Sequence, residues 1–116
     1  MNKELLITSE QAEERLVLRL EGDITKTSGE QLLRFYNWDL DFVGKFLLID
    51  FSKVNYINSA GIAYIIRLSR ILNEKGIVIR AFGLEYHYEK MFQIVGLTKY
   101  LTHYPSEWAA SENLSE

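Results

Sequence analysis

Two adjacent polar residues, Asn58 and Ser59, stand where an apolar, strand-like segment gives way to a helix-like one. Both are favoured at helix N-termini, where their side chains accept hydrogen bonds from otherwise unpaired backbone N–H groups. The same N–H groups and the positive end of the helix dipole favour an anion such as a phosphate. A phosphoserine there would carry about −1.5 to −2 charge at pH 7. Ser59 is therefore a candidate phosphorylation site, although a plain helix cap explains the same two residues.

Other reactive side chains are absent or scattered. The chain has no cysteine, which excludes disulfide, thiolate-zinc and cysteine-nucleophile chemistry. The two histidines, His87 and His103, belong to different predicted elements, so they predict neither a metal site nor a general base. Ser59 has no base in its local sequence and no nucleophile motif around it. We therefore expect no enzymatic activity, no cofactor and no metal.

Composition limits the class of protein. A chain of 116 residues with 47% hydrophobic residues can fold as one domain with its own core. The net charge of −3 argues against direct binding of nucleic acid. No apolar run is long enough to span a bilayer and no secretion signal opens the sequence, so we expect a cytoplasmic protein without membrane insertion.

Apolar periodicity predicts the elements that position Ser59. The residues before it, 46–51, are almost continuously apolar, which is typical of a central, parallel-paired strand. Residues 60–75 have a helical pattern. The other predicted elements are strands at 4–9 and 15–20 joined by a connection at 10–14, a helix from 27 to about 40, a strand at 77–82, a helix at 85–95 and a strand at 100–104. The order predicts an α/β fold, with a mixed sheet that opens on an antiparallel pair and helices packed against it.

Several residues indicate where these elements begin and end. Gly22 is expected to end the second strand, and Gly96 to cap its helix in the left-handed conformation. Thr27 and Glu30 fit a capping box at the start of the first helix. That helix is expected to bury its apolar face, which comprises Leu32, Leu33, Tyr36 and Leu40. The C-terminal residues predict a helical turn around Trp108 and a frayed end.

The segment from Asp50 to Ile62, DFSKVNYINSAGI, resembles the signature of the STAS domain (sulfate transporter and anti-sigma factor antagonist). Three other segments are also similar to this family: Leu20–Ile24, Gly76–Ile79 and Phe92–Leu97. The resemblance implies a single STAS domain over residues 1–116, with a core at about 4–105 and a tail at 106–116.

The resemblance also implies a function. In the stand-alone bacterial members, the serine at the position of Ser59 is phosphorylated by an anti-sigma factor that is itself a serine kinase. The unphosphorylated form binds that kinase and frees a sigma factor, and phosphorylation releases it. This implies an anti-sigma factor antagonist that is a monomer or weak dimer. Two residues depart from the family: Asn58 replaces an acidic residue, and Thr25 stands where aspartate is common.

The helix after Ser59 is apolar over about 200° of its circumference, more than one-sided packing requires. One interpretation is that some of the residues Ile62, Ala63, Tyr64 and Ile66 are exposed and bind a partner. The other is that neighbouring helices cover both flanks of this helix. The predicted docking surface comprises Gly22, Asp23, Thr25, Asn58, Ser59, Ala60, Ile62 and Ala63. The alternative function is a non-switching STAS scaffold or transporter-associated subunit, in which Ser59 is only a cap.

Overall fold

A five-stranded mixed sheet forms the centre of the protein, which a computed structural model describes over residues 3–35, 38, 44–112 and 114. The strands lie side by side in chain order. The first two pair antiparallel and each later pair is parallel, which confirms the predicted α/β class and its opening pair. The strands are β1 (Leu6–Ala12), β2 (Arg15–Ile24), β3 (Phe46–Ile57), β4 (Val78–Phe82) and β5 (Leu101–Tyr104).

The helices alternate with the strands after β2. They are α1 (Lys26–Arg34), α2 (Ser59–Glu74), α3 (Tyr86–Ile94) and α4 (Glu107–Ser111), with a 3-10 turn at Leu97–Lys99 before β5. The predicted order is confirmed, and α4 is the helical turn expected around Trp108. Gly96 has φ +79°, which confirms the predicted left-handed cap after α3.

The apolar run at 46–51 forms the central part of β3, as predicted, and it is buried on both faces of the sheet. On one face, Leu47 and Ile49 of β3 join the main core with apolar side chains of α1, α2 and α3. On the other face, Phe46 and Leu48 pack in a second cluster with Ala110 of α4. Ala110 is fully buried, so the packed part of the chain extends past the predicted core boundary at residue 105.

The connection between the first two strands is shorter than predicted. β1 continues to Ala12, which pairs with Arg15, so only Glu13 and Glu14 form the loop. Glu13 has φ +46°, a conformation found in tight turns. The expected connection at 10–14 is therefore wrong at its first three residues. Polar residues continue the strand because β1 lies at the edge of the sheet, where side chains remain exposed.

Gly22 bends β2 and does not end it. The strand runs on to Ile24, with shifts in its register to β3 on both sides of Gly22. Gly22 has φ +120°, and a Cβ atom there would lie 2.4 Å from the carbonyl oxygen of Glu4. Glycine is needed at this bulge because the N-terminal segment crosses it closely.

The first helix begins two residues earlier than the predicted capping box. Its N-cap is Thr25, and Ser28 Oγ accepts a hydrogen bond from the Thr25 N–H at 2.6 Å. The prediction of Thr27 and Glu30 as the capping pair is therefore wrong. The helix also ends at Arg34, earlier than predicted. Leu32 is buried and Leu33 is partly buried, whereas Tyr36 and Leu40 lie outside the described residues.

Arg19 ties α4 to the second face of the sheet. Its guanidinium lies within 2.9 Å of carboxylate oxygens of Glu10 on β1, Asp50 on β3 and Glu107 on α4. The hydrogen bond from Arg19 holds the pKa of Glu10 below its ordinary value of 4.5. Burial raises the pKa of Asp50, but hydrogen bonds from Ser52 and Arg19 outweigh burial and hold it below 3.8.

These shifts predict that acid destabilises the protein. A carboxyl whose folded pKa is depressed contributes stability above its unfolded pKa and loses that contribution as the pH falls through the folded pKa. The contribution of Glu10 and Asp50 is therefore complete above their ordinary pKa values of 4.5 and 3.8 and declines as the pH falls from those values through the lower folded pKa values. In urea unfolding between pH 7 and pH 3, we expect the decline at acid pH to be less steep in Asp50→Asn than in wild type. Equal declines would contradict this account.

Candidate phosphorylation and partner-binding site

Ser59 is an exposed serine at the first residue of α2. The preceding residue, Asn58, is the N-cap, and its Oδ1 accepts a hydrogen bond from the Gly61 N–H at 2.9 Å. The sequence left open which of the two polar residues caps the helix, and the structure assigns that role to Asn58. Within the described residues, the Ser59 hydroxyl has no hydrogen-bond partner. Its hydroxyl is therefore accessible from solvent and is not required for the cap.

The ends of two parallel strands hold the start of α2 in place. Ile24 at the end of β2 lies opposite Ile57 at the end of β3. The Asn58 N–H donates to the Ile24 carbonyl oxygen at 3.1 Å. The Ile57 N–H donates to the Tyr88 hydroxyl of α3 at 3.0 Å, in a buried position. The backbone on the N-terminal side of Ser59 is thus fixed from two directions, which gives Ser59 a defined position on the surface.

Gly61 allows α2 to start directly against β2. A Cβ atom on Gly61 would lie 2.2 Å from the Ile24 carbonyl oxygen and 2.7 Å from its carbonyl carbon. That oxygen also accepts the hydrogen bond from Asn58. The close approach of helix and strand, and with it the position of Ser59, therefore requires glycine at residue 61.

The predicted docking surface divides into exposed and buried residues. Ser59 and Ala63 are exposed. Thr25, Asn58 and Ala60 are half-buried, and they complete a surface of five residues that we call the Ser59 surface. The predicted residues Gly22, Asp23 and Ile62 are buried in this structure. These three residues therefore contribute little to the solvent-accessible surface.

Asp23 is occupied by the N-terminal segment. Its carboxylate accepts a hydrogen bond from the Lys3 N–H at 2.7 Å, and its own N–H donates to the Lys3 carbonyl oxygen at 3.0 Å. The carbonyl oxygen of Asp23 accepts from the Ser28 hydroxyl at 2.8 Å. Asp23 therefore fixes the turn between β2 and α1, which places the half-buried Thr25 in the Ser59 surface.

The two flanks of α2 have different environments. Tyr64 is half-buried against α1: a Cβ atom on Gly29 would lie 2.5 Å from its ring, and its hydroxyl donates to Glu30 at 3.3 Å. Ile66 is also half-buried, whereas Ala63 is exposed. The sequence left two alternatives for the wide apolar face of α2, exposure to a partner or coverage by neighbouring helices. Tyr64 is covered by α1, and Ala63 is exposed.

Three residues important to this arrangement were not identified from the sequence as site residues. Tyr56 is 46% exposed at the end of β3, opposite Asp23 in the sheet register. Tyr88 belongs to the helix predicted at 85–95, and nothing in the sequence indicates that its hydroxyl contacts the end of β3. Gly61 had a sequence signal, because glycine in the first turn of a helix has low propensity and suggests close packing.

The described residues contain no group of three or more histidine, aspartate or glutamate side chains able to hold a metal ion. Among the same residues, no helix combines the length and apolar character needed to cross a membrane.

The Asn58 cap supports a prediction about stability. Asn58→Ala removes the acceptor for the Gly61 N–H, and such a change costs about 1 kcal/mol of unfolding free energy. Asn58→Asp keeps the acceptor and adds a negative charge at the helix N-terminus, so we expect it to match or exceed wild type. Urea denaturation measures both variants, and an Asn58→Ala protein as stable as wild type would contradict the assigned cap.

Comparison with known proteins agrees with this architecture. The family model described as "STAS domain" matches residues 7–110. No curated protein matches the sequence.

Solved structures also have the fold. An anti-sigma factor antagonist from Mycobacterium paratuberculosis is 17% identical with a TM-score of 0.81, over 97% of this chain and 96% of the other. The Bacillus cell fate determinant SpoIIAA, in the phosphorylated form, is 20% identical with a TM-score of 0.70, and the match covers 90% of this chain and 96% of the other. A sulfate transporter family protein from Wolinella succinogenes is 10% identical with a TM-score of 0.65, and the match covers 79% of this chain and 80% of the other. At these identities the structural likeness shows the fold, and the family match covers most of the sequence. The chain belongs to the STAS domain family.

Proposed function

We propose that this protein is an anti-sigma factor antagonist that binds an anti-sigma factor serine kinase while Ser59 is unphosphorylated. Phosphorylation of Ser59 by that kinase then releases it and regulates the availability of a sigma factor. The observation that carries the proposal is the exposed, unbonded Ser59 hydroxyl at the first turn of α2, in the middle of the Ser59 surface.

The local electrostatics allow a phosphate without unfolding the protein. At the first turn of a helix, negative charge is favoured by about 0.3–1 kcal/mol. No acidic residue lies in the first turn of α2, so a phosphate there meets no carboxylate of its own helix. The same charge in a desolvated protein interface costs several kcal/mol if no cation of the partner pairs with it. Phosphorylation therefore changes binding far more than it changes folding.

The relatives support the same role. One neighbour of similar fold is described as an anti-sigma factor antagonist, and SpoIIAA has been solved in a phosphorylated form. The competing function is the non-switching scaffold or transporter-associated subunit. The sulfate transporter family neighbour and the neutral Asn58 before Ser59 favour that alternative.

The test is phosphorylation by a purified kinase. Each anti-sigma factor serine kinase encoded in the source genome is incubated with ATP and either the wild-type chain or Ser59→Ala, and both are analysed by intact-mass and peptide mass spectrometry. We expect one phosphate per wild-type chain, located on Ser59, and none on Ser59→Ala. If no kinase modifies the wild-type chain, or if the phosphate lies elsewhere, the switch is contradicted and the scaffold function is favoured.

A further inference from the structure

The Ser59 surface continues along α2 as a single exposed row. The exposed residues of this helix are Ser59, Ala63, Arg67, Arg70, Asn73 and Glu74. At 3.6 residues per turn, all six fall within about 120° of the helix circumference. A partner that contacts Ser59 and extends over α2 therefore meets Ala63 first and then the two arginines.

Arg67 and Arg70 differ from three of the other four arginines of the chain; the fourth, Arg15, is half-buried and its side chain also has no partner among the described residues. Arg19 is held by three carboxylates, Arg34 lies 3.9 Å from Glu30, and Arg80 donates to backbone carbonyl oxygens at the C-terminus of α4. Within the described part of the chain, neither Arg67 nor Arg70 makes a hydrogen bond or an ion pair, and both are exposed. They are two unpaired cations on a protein whose net charge is −3.

The size of a protein interface places these arginines within reach of a partner at Ser59. A specific interface buries about 800 Å² on each protein, which corresponds to a disc of roughly 16 Å radius. At 1.5 Å per residue, Arg67 lies about 12 Å along the helix axis from Ser59, and Arg70 about 16.5 Å. Arg67 thus falls inside an interface centred on Ser59, and Arg70 falls at its rim.

A charge covered by an interface requires a partner of opposite sign, because an unpaired buried charge is strongly unfavourable. The small side chain of Ala63 leaves the surface open between Ser59 and Arg67, so nothing on α2 holds a partner away from the arginines. On the basis of the proposed function, we infer that the kinase presents carboxylates to Arg67 and Arg70, about 12–16.5 Å from the point where it receives Ser59. This acidic surface contributes to binding and selects the partner independently of the charge at residue 59.

The inference is tested with purified anti-sigma factor serine kinases of the source genome, with affinity measured by calorimetry at low and high salt. We expect Arg67→Glu to weaken binding at least about tenfold at low salt and to reduce its salt dependence, because a close charge pair is lost. Arg67→Lys, which keeps the charge, should bind within a few-fold of wild type. Lys99→Glu makes the same change of charge at an exposed residue of the 3-10 turn, outside α2, and it should leave affinity unchanged.

A reciprocal change in the kinase makes the test specific. Single replacements of its acidic surface residues by lysine should include one that restores the affinity of Arg67→Glu. Denaturation in urea shows whether each variant is folded. If wild type binds and Ser59→Asp does not, while Arg67→Glu binds like wild type, the acidic partner surface is overturned and the proposed function stands. If wild type binds none of the kinases, the proposed function fails and the inference fails with it.

Discussion

Gly61→Ala is expected to lower the free energy of unfolding by about 3 kcal/mol, because overpacking a close backbone contact and losing a hydrogen bond both destabilise. The new Cβ atom would lie 2.2 Å from the Ile24 carbonyl oxygen, which belongs to rigid backbone. Moving that carbonyl away also breaks its hydrogen bond with the Asn58 N–H. The variant should therefore displace the start of α2 and Ser59 with it. Chemical denaturation measures the loss of stability.

Gly76→Ala is the matched control for this change. Gly76 has φ +76° and no atom within 4 Å of a built Cβ, so alanine there costs only the backbone strain of about 1–2 kcal/mol. We expect the loss at residue 61 to exceed the loss at residue 76. The reverse order would show that the contact between α2 and β2 is less tight than the structure indicates.

Ser59→Asp is expected to weaken binding to the anti-sigma factor serine kinase by more than about a hundredfold, because a desolvated, unpaired carboxylate costs several kcal/mol. The variant itself should be at least as stable as wild type, since negative charge is favoured at the first turn of a helix. Ser59→Ala should bind like wild type. The combination of lost binding and retained stability separates an effect on the interface from an effect on folding.

Ser106→Asp gives a control of the same chemistry. Ser106 is an exposed serine at the N-cap of α4, where its side chain accepts from the Ala109 N–H, and aspartate retains that hydrogen bond. We expect this variant to bind the kinase like wild type. Equal losses of affinity for Ser59→Asp and Ser106→Asp would indicate a general effect of negative charge and would contradict a specific site at Ser59.

The fold was predictable because its periodic signals are strong. The apolar run at 46–51 correctly indicated a central strand with parallel partners, and the helix predicted at 85–95 agrees with α3. The errors lie at element ends, where tertiary contacts decide. The sequence predicted Glu10 and Gln11 in the connection between the first two strands, but pairing with β2 extends β1 through them. The sequence predicted that Gly22 ends the second strand, but it lies at a bulge where the N-terminal segment contacts β2.

The position of the candidate site was predictable from the sequence, but which of its residues are exposed and which are buried was less predictable. The cap residue types and the resemblance both indicated Asn58 and Ser59, and the structure places them at the start of α2. No sequence pattern distinguishes Asp23, whose carboxylate is taken by the Lys3 N–H, from an exposed docking residue. Likewise the hydrogen bond between Ile57 and Tyr88 joins residues far apart in sequence, and only the packing of α3 against the sheet reveals it.

The measurement that tests the central claim most directly compares one protein with and without a phosphate on Ser59. The chain is phosphorylated by its kinase, purified to a single modified form, and titrated beside the unmodified chain against the ADP-loaded kinase, which cannot phosphorylate either form. The account predicts tight binding of the unmodified chain, no detectable binding of the phosphorylated chain, and recovery of binding after a phosphatase removes the phosphate. Equal affinity of the two forms would contradict it and leave Ser59 as the first residue of a helix with no part in a switch.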